Sequence, residues 1–255
     1  MAKEQVSSIL RALEILECFI NNDKEWTLKA LVEELNLPRT TVFRQVSTLT
    51  ERHYLTQDPV RKSYHVGPRL LQLSGAVLNQ CDLRTIARPE LERLSAVVDE
   101  TINLSTLLDH DIFYLDKEET HRSIICNTRI GSRAPAYATS SGKAMLAFCD
   151  DAAIENFLDW MQDHAQKLTN NTITDPDVMR QELITARANG YAIDNEEIEE
   201  GLVCIGAPIF DINHQPIAAV SISGPAFRVQ SDLERVIRQV RQSAYAISTL
   251  MGYRK

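Results

Sequence analysis

Through the first fifty residues, apolar positions return every three or four places. Ile9, Leu13, Leu16 and Ile20, with Ala12 and Phe19 beside them, predict a helix that Ser7 or Ser8 can cap. Thr27 can cap a second helix with Leu28, Leu31, Val32 and Leu35 on one apolar face, ending before Asn36-Leu37-Pro38. Pro38 cannot continue that helix but suits the first turn of the next, whose apolar face is Val42, Val46 and Leu49. Two short helices meeting at such a break read as a helix-turn-helix. Tyr54-Leu55-Thr56 and Tyr64-His65-Val66 then predict two short strands joined through Asp58-Pro59, with Arg61 and Lys62 at the end of the turn. With basic residues at its tip this reads as a wing, more so directly after a helix-turn-helix; an ordinary exposed hairpin is the alternative. From Pro68 to Leu83 the pattern Leu70, Leu71, Leu73, Val77, Leu78 predicts an amphipathic linker helix. Its stripe either pairs with a second copy or lies buried against its own chain.

Beyond residue 83 the pattern mixes periods. A helix is predicted over Leu83–Val98, and Ile102–Leu108 with Ile112–Leu115 flank Asp109-His110 as a hairpin. Further strands are expected at Ser123–Thr128, Tyr191–Asn195, Val203–Phe210 and Ile217–Ser223, the last two joined by a turn at Asp211-Ile212-Asn213-His214. Helices are expected at 142–149, 151–162 and 176–188, and from Ser231 to Leu250. Hairpins among scattered helices imply an α+β fold with an antiparallel sheet. The organisation expected is therefore a winged helix-turn-helix over 1–67, a linker helix over 68–83 and a larger domain over 84–255.

Charge changes this picture by its distribution. The chain of 255 residues carries a formal −8, but residues 1–81 hold ten Lys and Arg against nine Asp and Glu. Between Arg39 and Arg69 six basic residues face only Glu51 and Asp58, a local excess suited to phosphates. The outer side of the third predicted helix presents Arg39, Thr40, Thr41, Arg44, Gln45 and Thr48. Arg44 and Gln45 have the donor patterns that read guanine and adenine edges, hydroxyls and amides of the first turn can take phosphate oxygens, and Phe43 can touch a thymine methyl. Any one of these positions also reads as solvated polar surface; the face as a whole points to duplex DNA. No run of eighteen apolar residues occurs and the start is polar, so a cytoplasmic chain with no membrane partner is expected. The five cysteines, Cys18, Cys81, Cys126, Cys149 and Cys204, show no metal-binding or redox spacing, and free, mostly buried thiols are expected.

Signatures of catalysis are missing. Thr139-Ser140-Ser141-Gly142-Lys143-Ala144 lacks the upstream glycine and the hydroxyl after lysine that a phosphate loop needs. The acidic run Asp194-Asn195-Glu196-Glu197-Ile198-Glu199-Glu200 lacks calcium-loop spacing and reads as solvated charge. Neither a cofactor nor a metal is expected. What remains suggests a pocket: Ser140 and Ser141 just before a helix expected to start near Gly142, and Ser221 and Ser223 on one face of a strand. Plain helix capping and satisfied hydroxyls are the bland alternatives. A thiol enzyme using Cys126 or Cys204, or a winged helix that docks on protein, are the rival classes.

Several ordered motifs together resemble the IclR-type regulators: Val6-Ser7-Ser8-Ile9-Leu10-Arg11-Ala12-Leu13, Leu37-Pro38-Arg39-Thr40-Thr41-Val42, Tyr64-His65-Val66-Gly67, Arg129-Ile130-Gly131, Ala138–Ala144, Asp194–Cys204, Ala207-Pro208-Ile209-Phe210-Asp211 and Ser221-Ile222-Ser223-Gly224-Pro225. The resemblance implies a DNA-binding transcription regulator, a GAF-like effector domain, and homodimers or homotetramers on a pseudo-palindromic operator. It also implies an effector site at Ser140, Ser141, Asp194, Cys204, Ser221 and Ser223, with Leu202 as an apolar wall. Glyoxylate-type members have Gly-Ala where this chain has Ser140-Ser141, which implies a different pocket size and polarity. Asn171-Thr172-Ile173-Thr174, Glu199-Glu200-Gly201-Leu202 and Met251-Gly252-Tyr253 look closest to ketodeoxygluconate-responsive repressors of sugar-acid catabolism. A small keto-acid or sugar-acid effector is therefore expected, 2-keto-3-deoxygluconate first and glyoxylate or pyruvate second.

Overall fold

The computed structural model describes residues 7–20, 25–73, 82–120, 122, 126 and 128–254. They fall into two compact units, Met1–Cys81 and Asp82–Lys255. The first holds α1 (Ser7–Glu17), β1 (Trp26–Thr27), α2 (Leu28–Leu35), α3 (Arg39–Glu51), β2 (Leu55–Gln57) and β3 (Ser63–Val66). Thr27 caps α2 by accepting a hydrogen bond from the Ala30 amide, and Asn36 closes it in the left-handed conformation, φ 49°. Pro38 stands just before α3, its carbonyl accepting from the amides of Thr41 and Val42. The three helices and an antiparallel sheet of order β1-β3-β2 enclose Ile15, Leu31, Val42, Val46, Leu49 and Leu55. Tyr64 and Trp26, paired across β3 and β1, complete this core.

Two expectations change here. Ile9, Leu13 and Ile20 of the first helical stripe are exposed, and Ile15 is the residue buried against the core, with Leu16 and Phe19 partly buried beside it. The first helix carries apolar residues around more than half its circumference, so spacing defines the helix without choosing the side that packs. The strand Trp26–Thr27 was not foreseen, because two residues are too few to show alternation. Residues 68–73 are helical, and the rest of the expected linker helix up to 81 lies outside the described residues.

The second unit is built on six antiparallel strands in the order β6-β5-β4-β9-β8-β7. In chain order they are β4 (Thr101–Leu108), β5 (Asp111–Glu118), β6 (Arg133–Pro135), β7 (Ala192–Asn195), β8 (Leu202–Phe210) and β9 (Pro216–Pro225). Its helices are α4 (Asp82–Val98), α5 (Ser140–Leu146), α6 (Asp151–His164), α7 (Pro176–Asn189), α8 (Ala226–Ser231) and α9 (Leu233–Leu250). One core joins α4 and α9 to Ile102, Leu104, Ile205, Val220 and Ile222 of the sheet. The other joins α5, α6 and α7 to Ile112, Ala192 and Ala219. Because side chains alternate along a strand, Cys204, Ser221 and Ser223 lie on the face opposite Ile205, Val220 and Ile222.

The helix expected near Gly142 starts instead at Ser140, since Thr139 is the cap, accepting from the Gly142 amide at 3.2 Å. Of the strand expected at Ser123–Thr128, residues 123–125 and 127 lie outside the described residues, and Cys126 and Thr128 are in no regular element. Strand β6, the short turn Ala136–Ala138 and α8 were unforeseen, each being too brief for a periodic signal. Among the described cysteines only Cys204 is fully buried, while Cys18, Cys126 and Cys149 are half-buried; Cys81 lies outside the described residues.

Candidate nucleic-acid face and effector cavity

Helix α3 buries Val42, Val46 and Leu49 and turns Arg39, Thr40, Phe43, Arg44 and Thr48 outward; Thr41 and Gln45 are half-buried at the edge of that face. No carboxylate of the described residues pairs with Arg39 or Arg44, so both guanidiniums remain available to a polyanion. The wing tip is shaped by Asp58, whose carboxylate accepts from the amides of Val60 and Arg61 at 2.7 and 2.9 Å. Those two bonds hold its pKa below the usual carboxylate range. Arg61 and Lys62, the latter with φ 59°, stand exposed at this tip.

In the second unit a cavity of about 310 Å³ opens between β5, β6, the start of α5, the 194–202 turn and the ends of β8 and β9. All seven residues expected at the effector site line it: Ser140, Ser141, Asp194, Leu202, Cys204, Ser221 and Ser223. Sequence reasoning missed Ile112, Tyr114, Thr128, Arg133 and Thr139, which also line it, and assigned Cys126 only to a rival thiol chemistry. Nothing local could have announced them, since strand pairing brings Tyr114 and Arg133 to the site. Arg133 is the one cation among the described lining residues, and its guanidinium lies 3.7 Å from the carboxylates of both Asp109 and Asp111. Hydroxyls dominate the rest. The Asn103 amide donates to Ser223 Oγ at 3.2 Å, and the Thr128 hydroxyl donates to Asn103 Oδ1 at 2.7 Å, which fixes this wall.

The helix carrying Ser140 and Ser141 sits directly on β8. A Cβ built on Gly206 would lie 2.7 Å from the Ser140 carbonyl carbon, and one on Gly142 would lie 2.2 Å from the Ala136 carbonyl oxygen. Only glycine allows both approaches. Behind the cavity wall the fully buried Lys143 is ion-paired with Glu197 and, at 3.2 Å, with Glu182. The acidic run expected to be solvated is therefore only partly so, because Asp194 and Glu197 are buried. The turn is held by Thr169 and Thr172, whose hydroxyls donate to the carbonyls of Glu196 and Glu197, both at 2.6 Å.

Burial pushes the Asp194 carboxyl up to about 7, opposed by the Glu197 amide that donates to its Oδ1 at 2.7 Å. Burial likewise raises the thiols of Cys126 and Cys204, the reverse of what a nucleophilic cysteine requires. Among the described residues no group of His, Cys, Asp or Glu is placed to hold a metal, and no helix is long and apolar enough to cross a membrane.

A winged helix with an exposed cationic face, followed by a sheet domain with a polar cavity, defines a DNA-binding transcription regulator with an effector domain. Residues 8–59 match the IclR helix-turn-helix domain, and 75–249 match the bacterial transcriptional regulator IclR C-terminal domain. The chain belongs to the IclR family. It is 34% identical over 251 residues to the HTH-type transcriptional regulator BhcR of Paracoccus denitrificans, covering 98% of this chain and 89% of that protein. It is 32% identical over 251 residues to the HTH-type transcriptional regulator KdgR of Escherichia coli, covering 98% and 94%. The solved structure of an IclR homolog from Microbacterium hydrocarbonoxydans complexed with 4-hydroxybenzoate superposes with a TM-score of 0.83 at 27% identity, covering 96% of this chain and 98% of that one. These relatives are regulators, and so is this chain; it is not an enzyme.

Proposed function

We propose that the protein represses genes of sugar-acid catabolism and releases its operator on binding a small keto-acid or sugar-acid such as 2-keto-3-deoxygluconate. The observation that carries this reading is the lining of the cavity: Ser140, Ser141, Ser221, Ser223 and Thr128 offer hydroxyls, and Arg133 offers a guanidinium. A polyhydroxylated carboxylate matches that set, whereas an aromatic acid would leave most of those hydroxyls without partners. The volume stands at the small end of the ~300–1,000 Å³ usual for ligand sites, and the identity to the Escherichia coli KdgR supports the same class. Glyoxylate or pyruvate is the second reading.

At the other end of the chain, Arg39, Thr40, Thr41, Arg44 and Gln45 read the major groove while Arg61 and Lys62 of the wing take backbone phosphates. The regulator binds as a homodimer or homotetramer on a pseudo-palindromic operator in the cytoplasm, the symmetry of the protein matching that of the site. Selection of bound genomic fragments, followed by mobility shifts with and without 2-keto-3-deoxygluconate, glyoxylate, pyruvate and 4-hydroxybenzoate, tests both halves. Release by the sugar-acid supports the reading; release by 4-hydroxybenzoate alone overturns the effector assignment.

A further inference from the structure

Three carboxyl groups and a single ammonium are packed behind and beside the cavity: Asp194, Glu197, Glu182 and Lys143. Lys143 is ion-paired with Glu197 and Glu182, and among the described residues no cation is ion-paired with Asp194. Asp194 Oδ1 accepts from the amides of Glu197 at 2.7 Å and Ile198 at 3.4 Å, while its Oδ2 is buried with no hydrogen-bond partner. An ionised carboxylate in that position would have one oxygen out of water and unsatisfied, the arrangement that favours the neutral acid.

Burial and the Glu197 carboxylate oppose the ionised form of Asp194; among the described residues Lys143 and the Cys204 thiol favour it, but Lys143 is already paired with Glu197 and Glu182. Cys204 lies directly opposite on β8, and its thiol is driven toward the protonated form, as are Tyr114 on β5 and the Cys126 thiol. Glu199, on the same turn, adds an acid to the lining, and Arg133 is shared with Asp109 and Asp111. Burial acting on Asp194 itself pushes in the same direction.

Resting on the cavity being the effector site, we propose that Asp194 holds its proton through mildly acidic pH, titrates close to neutrality in the free regulator and meets the effector as a neutral hydrogen-bond donor. An anionic effector then binds together with that proton. Where solution conditions have removed it, one proton is taken from solvent on binding, because a carboxylate ligand and an ionised Asp194 would repel one another in the same low-dielectric space. The acid thereby selects ligands that offer an acceptor oxygen, a keto or carboxylate oxygen, over cationic or donor-only ones. It also makes the sensor respond to pH as well as to metabolite.

Two measurements on the full chain decide this. The first follows the side-chain carboxyl carbon of ¹³C-labelled aspartate by NMR against pH, with Asp194→Asn identifying the signal. A midpoint near that of a neutral-pH acid is expected, and an ordinary carboxylate midpoint overturns the proton assignment. The second is calorimetric titration with 2-keto-3-deoxygluconate and, separately, glyoxylate, in two buffers of different ionisation heat. Above the midpoint, affinity should fall about tenfold per pH unit and the apparent heat should depend on the buffer. In Asp194→Asn the pH profile should be flat. Constant affinity and buffer-independent heat across this range overturn the linkage even with the midpoint as expected. If neither acid binds at any pH, the effector reading and the linkage fall together, while the NMR midpoint still decides whether Asp194 carries the proton.

Discussion

At the scale of single residues, the buried acids give the fold a pH dependence of definite sign. The pKa of Asp194 is raised from an ordinary 3.8 to about 7, and that of Glu197 is also raised, both first by burial. A carboxyl that binds its proton more tightly when folded favours the folded state in acid, and that contribution is lost as pH climbs from the unfolded value through the folded one. Urea midpoints taken at pH 5 and pH 8 should therefore differ less in Asp194→Asn than in the parent chain; an unchanged difference would remove Asp194 as its source. Asp58 has the opposite sign, since its bonds to the Val60 and Arg61 amides lower its pKa, but it is only half-buried, between exposed neighbours at the wing tip, and its effect is small. Gly206→Ala forces a methyl to within 2.7 Å of Ser140 backbone. A loss of about 1–3 kcal/mol in stability is expected from such overpacking, together with weaker effector binding, read by denaturation and calorimetry on one sample.

Elements show how far the sequence could be read. Helices α2, α3, α7 and α9 announce themselves through period and caps, and Thr27, Asn36 and Gly190 stop or start them as their residue types require. Spacing on β9 and position at the start of α5 raised four serines only as candidates beside satisfied hydroxyls and a helix cap, and it was family resemblance that assigned them, with Asp194, Leu202 and Cys204, to one site. The burial of the acidic turn was not legible, because the ammonium that compensates it stands 54 residues earlier, on α5. Lys143→Met tests that long-range pairing. Leaving Glu197 buried without its cation should cost about 3–5 kcal/mol, measurable as a shift in denaturant midpoint, and a loss below ~1 kcal/mol would mark the pair as dispensable. Thr139→Ala removes the cap of α5, together with a hydroxyl of the cavity lining, and should cost about 1 kcal/mol in stability.

For the molecule as a whole, the uneven charge matters more than its total. Residues 82–255 carry seventeen Lys and Arg against twenty-six Asp and Glu, so a chain with pI near 5.3 still offers a locally cationic α3 and wing. Operator affinity should fall steeply with salt, the slope reporting about one released counterion for each DNA phosphate that the protein neutralises. Arg44→Ala should weaken it by about 1–3 kcal/mol if the guanidinium reads a base, with relaxed preference at one position of the operator. Equal weakening on all sequences, with a shallower salt slope, would assign Arg44 to phosphate instead. Effector should also raise the calorimetric transition of the unit 82–255 in preference to that of 1–81, as expected when a ligand binds one unit only.

The glycine contacts at 142 and 206 have a consequence for how such a sensor acquires new chemistry. With main chain pressed on main chain, and no side chain between to act as a cushion, the platform beneath Ser140 and Ser141 has no slack to give. On the proposed effector reading, ligand preference is then free to drift by exchanging the two hydroxyls on that platform while the scaffold stays put. A library that varies positions 140 and 141 but holds both glycines should yield regulators with altered inducers, whereas one that varies the glycines should yield mostly unfolded chains.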